Sequence, residues 1–342
     1  MMSRRALLAV PVVPALLGLW PLSHWLRTGP LRTGPLPQVP VLMPPEGALR
    51  VYHLGHSLVG SDMPHMLAQL APQGHRWNSQ LGSGTNLKQH WEPDLAILDF
   101  ETSNQPPAFR EAREAIGSGG YDAVVLTEMV ELRDAIRYFD GAEYFHRWAS
   151  LARAGAAKTR VYLYETWHHL NDPEGWDSRI ASDLDRLWLQ QLTGTDSRAA
   201  PDRPAYLIPA GQVMAAVARA AEAGEIDGLT SREDLFARTK TGALDTIHIN
   251  DLGAYVVALT HYAVLYQRPP LGRPHQLSRA DGSAAQSLSA TAAEQVQRIV
   301  WQVVLAQPRT GLALAAQAVS PQAASPQTSS TQATSAQVGG GS

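Results

Sequence analysis

The chain has no cysteine among its 342 residues. That excludes disulfide stapling, thiolate catalysis and cysteine-ligated metal sites. It leaves the compartment open, because an exported protein can do without disulfides. Net charge is small, −3 at pH 7, and no basic run interrupts the sequence, so a nucleic-acid partner is not indicated. Phosphate-loop, dinucleotide-fingerprint and zincin motifs are missing, so neither a cofactor nor a metal is expected. What is present is an apolar fraction of 44%, enough for a substantial core in one large domain or two small ones.

The first residues are the most distinctive in composition. Arg4 and Arg5 precede a nearly unbroken apolar run from Ala6 to Leu22. A positive end followed by an apolar segment is the layout of a secretory signal. The run is long for a cleaved signal and slightly short for a membrane span, and no small-x-small cleavage site precedes Ser23. Residues 1–26 are therefore read as a signal peptide or an uncleaved signal anchor. The protein is expected to be exported, periplasmic or secreted, and held at the inner membrane if the segment is kept. Without cysteine, a lipoprotein anchor is excluded. Residues 27–47 are rich in proline and glycine, with Arg-Thr-Gly-Pro-Leu twice over between Arg27 and Leu36, and read as an extended linker. Residues 312–342 contain only small, polar and a few aliphatic residues, too little apolar surface to order a fold, and read as a disordered tail.

Between these ends, over residues 48–311, strand and helix patterns alternate. Strands are expected at Arg50–Leu54, Arg76–Leu81, Asp122–Thr127, Arg160–Glu165 and Ala205–Ile208. Helices are expected at Pro64–Leu70, Leu87–Trp91, Pro107–Ile116, Ala142–Ala157, Asp177–Leu192, Gly211–Ala223, Asp251–Tyr266 and Ala284–Leu305. The wholly apolar Ala123-Val124-Val125-Leu126 suits a strand buried on both faces. The alternation argues for a single α/β domain with a mainly parallel sheet covered on both sides.

One stretch organises the chemistry. The run into Leu54 stops at Gly55, Ser57 follows two residues later, and a helix opens near Ser61 to Pro64. A hydroxyl at the carboxyl end of the first strand is well placed for a nucleophile. Serine needs a base to take its proton and a third group to orient that base. Asp245-Thr246-Ile247-His248, read as a loop before the last strong helix, offers both, with Asp245 behind the imidazole of His248. Taken alone, that spacing is equally a polar loop whose Asp251 caps the helix. Gly82-Ser83-Gly84 after the second strand offers a backbone N–H for an oxyanion, with the N–H of Ser57 as a second donor; an ordinary glycine turn reads the same way. Trp167, in Tyr164-Glu165-Thr166-Trp167-His168-His169, and Trp91 suit a sugar face at the strand-end rim, or are core. His168, His169 and Asp172 form a weak metal pattern, because adjacent strand residues point opposite ways.

Together these blocks resemble the SGNH/GDSL hydrolase superfamily. Gly55-His56-Ser57-Leu58 is similar to its first block, with histidine where aspartate is common. Ser83-Gly84-Thr85 resembles the second, and Asp245-x-x-His248 with Gly253 and Tyr255 the last. Ile208-Pro209-Ala210-Gly211 resembles the stretch that often precedes it. The resemblance spans about Val51 to Pro270. It implies a three-layer α/β/α, flavodoxin-like fold and a Ser57, His248, Asp245 triad with Ser57 and Gly84 as oxyanion donors. It further implies a serine esterase acting on O-acyl, most commonly O-acetyl, esters of a small molecule, carbohydrate or cell-envelope polymer. Two alternatives stand beside it: an O-acyltransferase using the same triad, and a non-catalytic polysaccharide-binding protein on the same fold. One departure is plain. The family's third block ends in an asparagine that donates to the oxyanion, and here the strand runs on into Thr127-Glu128-Met129. Thr127 or Asn86 is a substitute donor, or Glu128 binds substrate, since a carboxylate cannot donate unless protonated.

Overall fold

The computed structural model describes residues 35–313, so the apolar run and most of the low-complexity tail lie outside the described residues. The first half of the domain runs β1 (Arg50–His56), α1 (Asp62–Leu70), β2 (Arg76–Gly82), α2 (Leu87–Trp91), α3 (Phe100–Ser103), α4 (Ala112–Gly117), β3 (Ala123–Leu126), α5 (Leu132–Tyr138) and α6 (Gly141–Gly155). The second half runs β4 (Arg160–Glu165), α7 (Trp176–Asp183), α8 (Gly194–Ala199), β5 (Tyr206–Pro209), α9 (Ala210–Glu222), β6 (Phe236–Arg238), β7 (Leu244–Ile249), α10 (Asp251–Tyr266) and α11 (Ala290–Ala306).

Five strands form one parallel sheet in the order β2-β1-β3-β4-β5, a doubly wound arrangement of the flavodoxin type. Strand side chains alternate between its faces. Val51, Val125, Tyr162, Tyr164 and Ile208 pack with α1, α9, α10 and α11. Tyr52, Leu54, Val124, Leu126, Val161 and Leu163 pack with α4 and α6. The result is a three-layer α/β/α domain with a core on each side of the sheet. Every residue of α10 from Leu252 to Tyr266 is buried, which is why its sequence is apolar all round.

The sequence reading and the structure differ in a few places. Asp177–Leu192 is not one α-helix: α7 gives way at Leu184 to a π-helical stretch, Leu184–Leu192. Pro107–Ile116 is helical only from Ala112. The segment around Asp245 is not a loop but strand β7, paired antiparallel with β6. Residues 35–47 lie along the domain: the Leu42 N–H donates to the Gly311 carbonyl at 2.8 Å, and Val39 and Leu42 pack against the core. Among the described residues no helix is long and apolar enough to cross a membrane.

Candidate active site

Ser57 sits one residue past β1, exposed, on a turn that reaches α1 five residues later; it is not on the helix N-terminus itself. Three contacts fix this turn. Tyr164, from β4, donates its hydroxyl to the Leu58 carbonyl at 3.0 Å. His56 Nε2 lies 2.8 Å from the Glu128 carbonyl, and the Leu58 N–H donates to His56 Nδ1 at 3.3 Å. A carbonyl can only accept, so Nε2 carries the proton and Nδ1 is free to accept. Gly55 lets the strand end approach β3: a Cβ there would lie 2.3 Å from Thr127 Cγ2. Thr127 cannot swing away freely, because its hydroxyl donates to the Tyr164 carbonyl at 2.8 Å. Gly55→Ala is therefore expected to cost about 1–3 kcal/mol through overpacking and to lower the rate of any reaction at Ser57. Urea midpoints beside turnover rates measure both effects.

The acid–base arm is a bulge. β6 and β7 pair at Phe236↔Ile249 and Arg238↔Leu244, so β7 places more residues between those pairs than β6 does. The surplus puckers outward, a standard way to re-aim side chains. Asp245 Oδ1 accepts the Ile247 and His248 N–H groups, each at 3.0 Å, which closes the pucker. Asp245 Oδ2 is 2.9 Å from His248 Nδ1, and His248 Nε2 is 2.9 Å from Ser57 Oγ. Burial pushes the Asp245 carboxyl up, but the two N–H groups and the imidazole outweigh it and hold the carboxyl below its usual range. It is thus an ionised acceptor at neutral pH, which sets the tautomer that leaves Nε2 facing the serine.

The segment after β4 braces this bulge from behind. The Leu170 N–H donates to the Thr246 carbonyl at 2.8 Å and the Trp167 indole N–H to the Ile247 carbonyl at 2.9 Å. His169 Nδ1 lies 3.0 Å from Thr246 Oγ1. His168 turns inward, its Nε2 3.2 Å from Asp183 Oδ2 though out of line for a hydrogen bond. The two histidines do not converge on one point.

Gly84 lies on the turn after β2, exposed, at φ +58, a left-handed conformation that favours glycine. The Ser83 N–H is bonded to Leu98 and its hydroxyl to Asp99, which fixes the turn in place. A cavity of about 280 Å³ opens at the serine, lined by Ser57, Gly60, Ser61, Asp62, His248 and Asp251. A larger one, about 410 Å³, between residues 271–275 and α11 shares no lining residue with it.

No protein-family model and no curated protein sequence matches the chain. Solved structures do. A DUF4886 family protein from Bacteroides uniformis ATCC 8492 is similar over 75% of this chain and 95% of its own, at 13% identity and a TM-score of 0.44. A protein described as a GDSL-like lipase, from Parabacteroides merdae ATCC 43184, is similar over 68% of this chain and 99% of its own, at 10% identity and a TM-score of 0.38. Phospholipase A1 from Streptomyces albidoflavus NA297 is similar over 64% of this chain and all of its own, at 16% identity and a TM-score of 0.36. The likeness is one of fold. The sheet order 2-1-3-4-5 is the doubly wound α/β arrangement, and each of these likenesses stands at low sequence identity.

Three residues expected at the substrate lie elsewhere. Trp167 is 1% exposed and belongs to the core behind the bulge, edge-on to Phe236. Trp91 is partly buried, packs edge-on against Trp148 and carries the Arg113 guanidinium 4.3 Å above its ring. Glu128 is fully buried and offers no carboxylate to a substrate. It is a bridge instead. Its carbonyl accepts the His56 Nε2–H, while Oε1 accepts the N–H of Leu87 at 3.2 Å and of Met129 at 2.8 Å. One residue thus ties the nucleophile turn to the start of α2, just after Gly84. Nor does Asn86 serve as a free amide donor: its Oδ1 caps α2 and its Nδ2 faces Met129 Sδ at 4.0 Å. A histidine directly before the serine was the one sequence signal of this support.

Burial pushes the Glu128 carboxyl up to about 7, against the pull of the Met129 and Leu87 N–H groups. The folded state therefore holds this proton where the unfolded chain releases it, and stability falls as pH rises from about 4.5 to 7. Glu128→Gln, which mimics the protonated acid, is expected to flatten this part of the stability profile by roughly 3 kcal/mol between pH 4.5 and 8. Urea unfolding of both proteins across that range measures it.

Proposed function

We propose that the protein is a serine esterase that hydrolyses O-acyl, and specifically O-acetyl, esters on a carbohydrate or cell-envelope polymer. The observation that carries this reading is the unbroken line from Ser57 Oγ to His248 Nε2 and from His248 Nδ1 to Asp245, each step 2.9 Å. Both are within hydrogen-bond range, and the first is the step along which the proton moves. Ser57 Oγ attacks the ester carbonyl as His248 takes its proton. The oxyanion is held by the Ser57 and Gly84 N–H groups. His248 returns the proton to the leaving alkoxide, and the acyl group remains on Ser57. Water, deprotonated by His248, then adds to the acyl carbon, and collapse returns the serine and frees the carboxylic acid. Asp245 stays ionised throughout and stabilises the imidazolium.

The cavity of about 280 Å³ beside Ser57 and His248 leaves room for a substrate at the hydroxyl, and the O-acetyl part of the proposal rests on the sequence resemblance. The carbohydrate part of the proposal rests on the sequence resemblance, since Trp167 lies in the core and Trp91 packs against Trp148 and Arg113. A serine-directed fluorophosphonate is the direct test. Wild type should be labelled and Ser57→Ala should not. Equal labelling of both, or no labelling of wild type, ends the proposal. Acetate released into water, rather than transferred to an added oligosaccharide, separates hydrolysis from acyl transfer.

A further inference from the structure

In a parallel sheet all strands start at one pole, and here that pole collects cations that are scattered in sequence. β1, β2 and β4 each begin with arginine, at Arg50, Arg76 and Arg160, and Arg50 is in register with Arg76. Lys158 precedes β4, and Arg268, which donates to the Pro45 carbonyl, follows α10 at the same end. Arg50, Arg76, Lys158 and Arg268 are exposed. Carboxylates at this pole include Asp122, which ion-pairs with Lys158 at 3.4 Å, Asp202 and Glu46, and nearby Glu114 is paired with Arg110. A chain of net charge −3 therefore presents a basic end.

Both ends of the described chain lie at this pole. Residues 35–47 cross it, tied by Leu42 to Gly311, by the Met43 carbonyl to Arg160 and by the Pro37 carbonyl to Arg309. On that crossing segment Val41 and Met43 are 61% and 76% exposed. Upstream in sequence, the apolar run ends at Leu22. The residues between Leu22 and Pro35 reach at most roughly 40 Å when extended.

We propose that the basic pole docks on anionic lipid headgroups at the membrane that holds the apolar N-terminal run, with Val41 and Met43 at the headgroup level. Basic side chains near an anionic surface each strengthen contact by on the order of fivefold, over a Debye length of about 8 Å. Exposed apolar side chains among cations suit the boundary between headgroups and acyl chains. The consequence concerns Ser57. It follows the carboxyl end of β1, across the sheet from the docked pole, so the strand length of about 20 Å separates the serine from the bilayer. A docked domain presents its candidate active site to the space beyond the membrane, where a polymer would lie, and away from the lipids beneath it. The docking itself does not depend on the hydrolase reading, and its test uses no activity.

The absence of cysteine makes the test clean, because each introduced cysteine is the one labelling site. The full chain is reconstituted into phosphatidylcholine vesicles with or without phosphatidylglycerol, carrying a headgroup-level quencher. A fluorophore is placed at Met43→Cys or, near the opposite pole, at Leu98→Cys, an exposed position whose carbonyl accepts from Ser83. The expected result is quenching at 43 at least about threefold greater than at 98 in anionic vesicles. Arg50→Glu, Arg76→Glu and Arg268→Glu together should abolish that difference, with thermal melting confirming that the variant is folded. Equal quenching at 43 and 98, or quenching at 43 unmoved by charge reversal in a folded variant, overturns the proposal. The same contrast in vesicles lacking phosphatidylglycerol assigns it to the tether alone and also overturns it.

Discussion

Ser57→Ala is expected to lower kcat for ester hydrolysis by about 10⁴-fold or more, with melting temperature nearly unchanged. The size follows from the geometry. The hydroxyl is exposed and makes one side-chain contact, to His248, so removing it deletes the nucleophile and little packing. His248→Ala should cost about as much, and the double variant no more than either single one, because the groups act as a unit. Asp245 is different. Its Oδ2 holds the His248 tautomer and its Oδ1 closes the bulge through two backbone N–H groups. Asp245→Asn keeps an acceptor for the bulge but presents the wrong partner to the ring, so it should lose about 10⁴-fold in kcat with little loss of fold. Asp245→Ala loses the closure as well and should melt at a lower temperature than Asp245→Asn. Rates on a soluble acetyl ester, with thermal melts of each variant, measure this series. Ser57→Ala retaining a tenth of wild-type activity sinks the triad.

Much of this arrangement was legible in sequence. Strands β1, β3, β4 and β5 announced themselves as short, mainly apolar runs, because strands buried on both faces tolerate little else; β2, at the sheet edge, is largely polar and was marked chiefly by the glycine turn that ends it. Ser57, Gly84, Asp245 and His248 stood out because the chemistry demands those residue types beside strand ends. What stayed hidden depends on neighbours distant in the chain. The β6–β7 ribbon is short, half-buried and polar, and a bulge breaks the alternation that marks a strand. Trp167 looked like a sugar platform because aromatic residues near a strand end suit one. Only the fold reveals that its indole faces the back of the bulge. Glu128 was the hardest to read. A carboxylate where a donor is usual suggested a substrate contact, or a substitute donor at Thr127 or Asn86. In three dimensions it is a buried brace: its carbonyl accepts from His56 and its Oε1 from two backbone N–H groups, while Oε2 is buried without a partner.

Acidification is expected to unfold the protein cooperatively between about pH 5 and 4, after a flat optimum near pH 6.5 to 7.5. The cause is a set of histidines buried neutral. Burial lowers His56, His75, His90 and His261 to about 4, and lowers His53 well below its usual range, with His261 and His75 adding to the effect. The unfolded chain takes up these protons below about 6.5 and the folded state does not, so stability is lost as pH falls through that window. At pH 5.5 each of the five contributes a loss of roughly 1 kcal/mol, together comparable with the whole stability of a domain. Glu128 and Glu165 run the other way. Burial raises them to about 7 and about 8, so lowering the pH relieves their cost. Two groups offset five only in part, and below about pH 4.5 they have no further relief to give. His53 and His261 are the place to test this. Their rings lie 5.8 Å apart in the core, and both nitrogens of His53 and the Nε2 of His261 have no partner. Replacing both with leucine should lower the acid midpoint by about half a pH unit and reduce proton uptake on unfolding by about two. Circular dichroism against pH gives the first and urea unfolding at pH 5 and 6 the second. A midpoint that stays put would mean that these rings are already charged in the folded core. His56 and His90 belong to the same titration, and His56 holds the turn that carries Ser57.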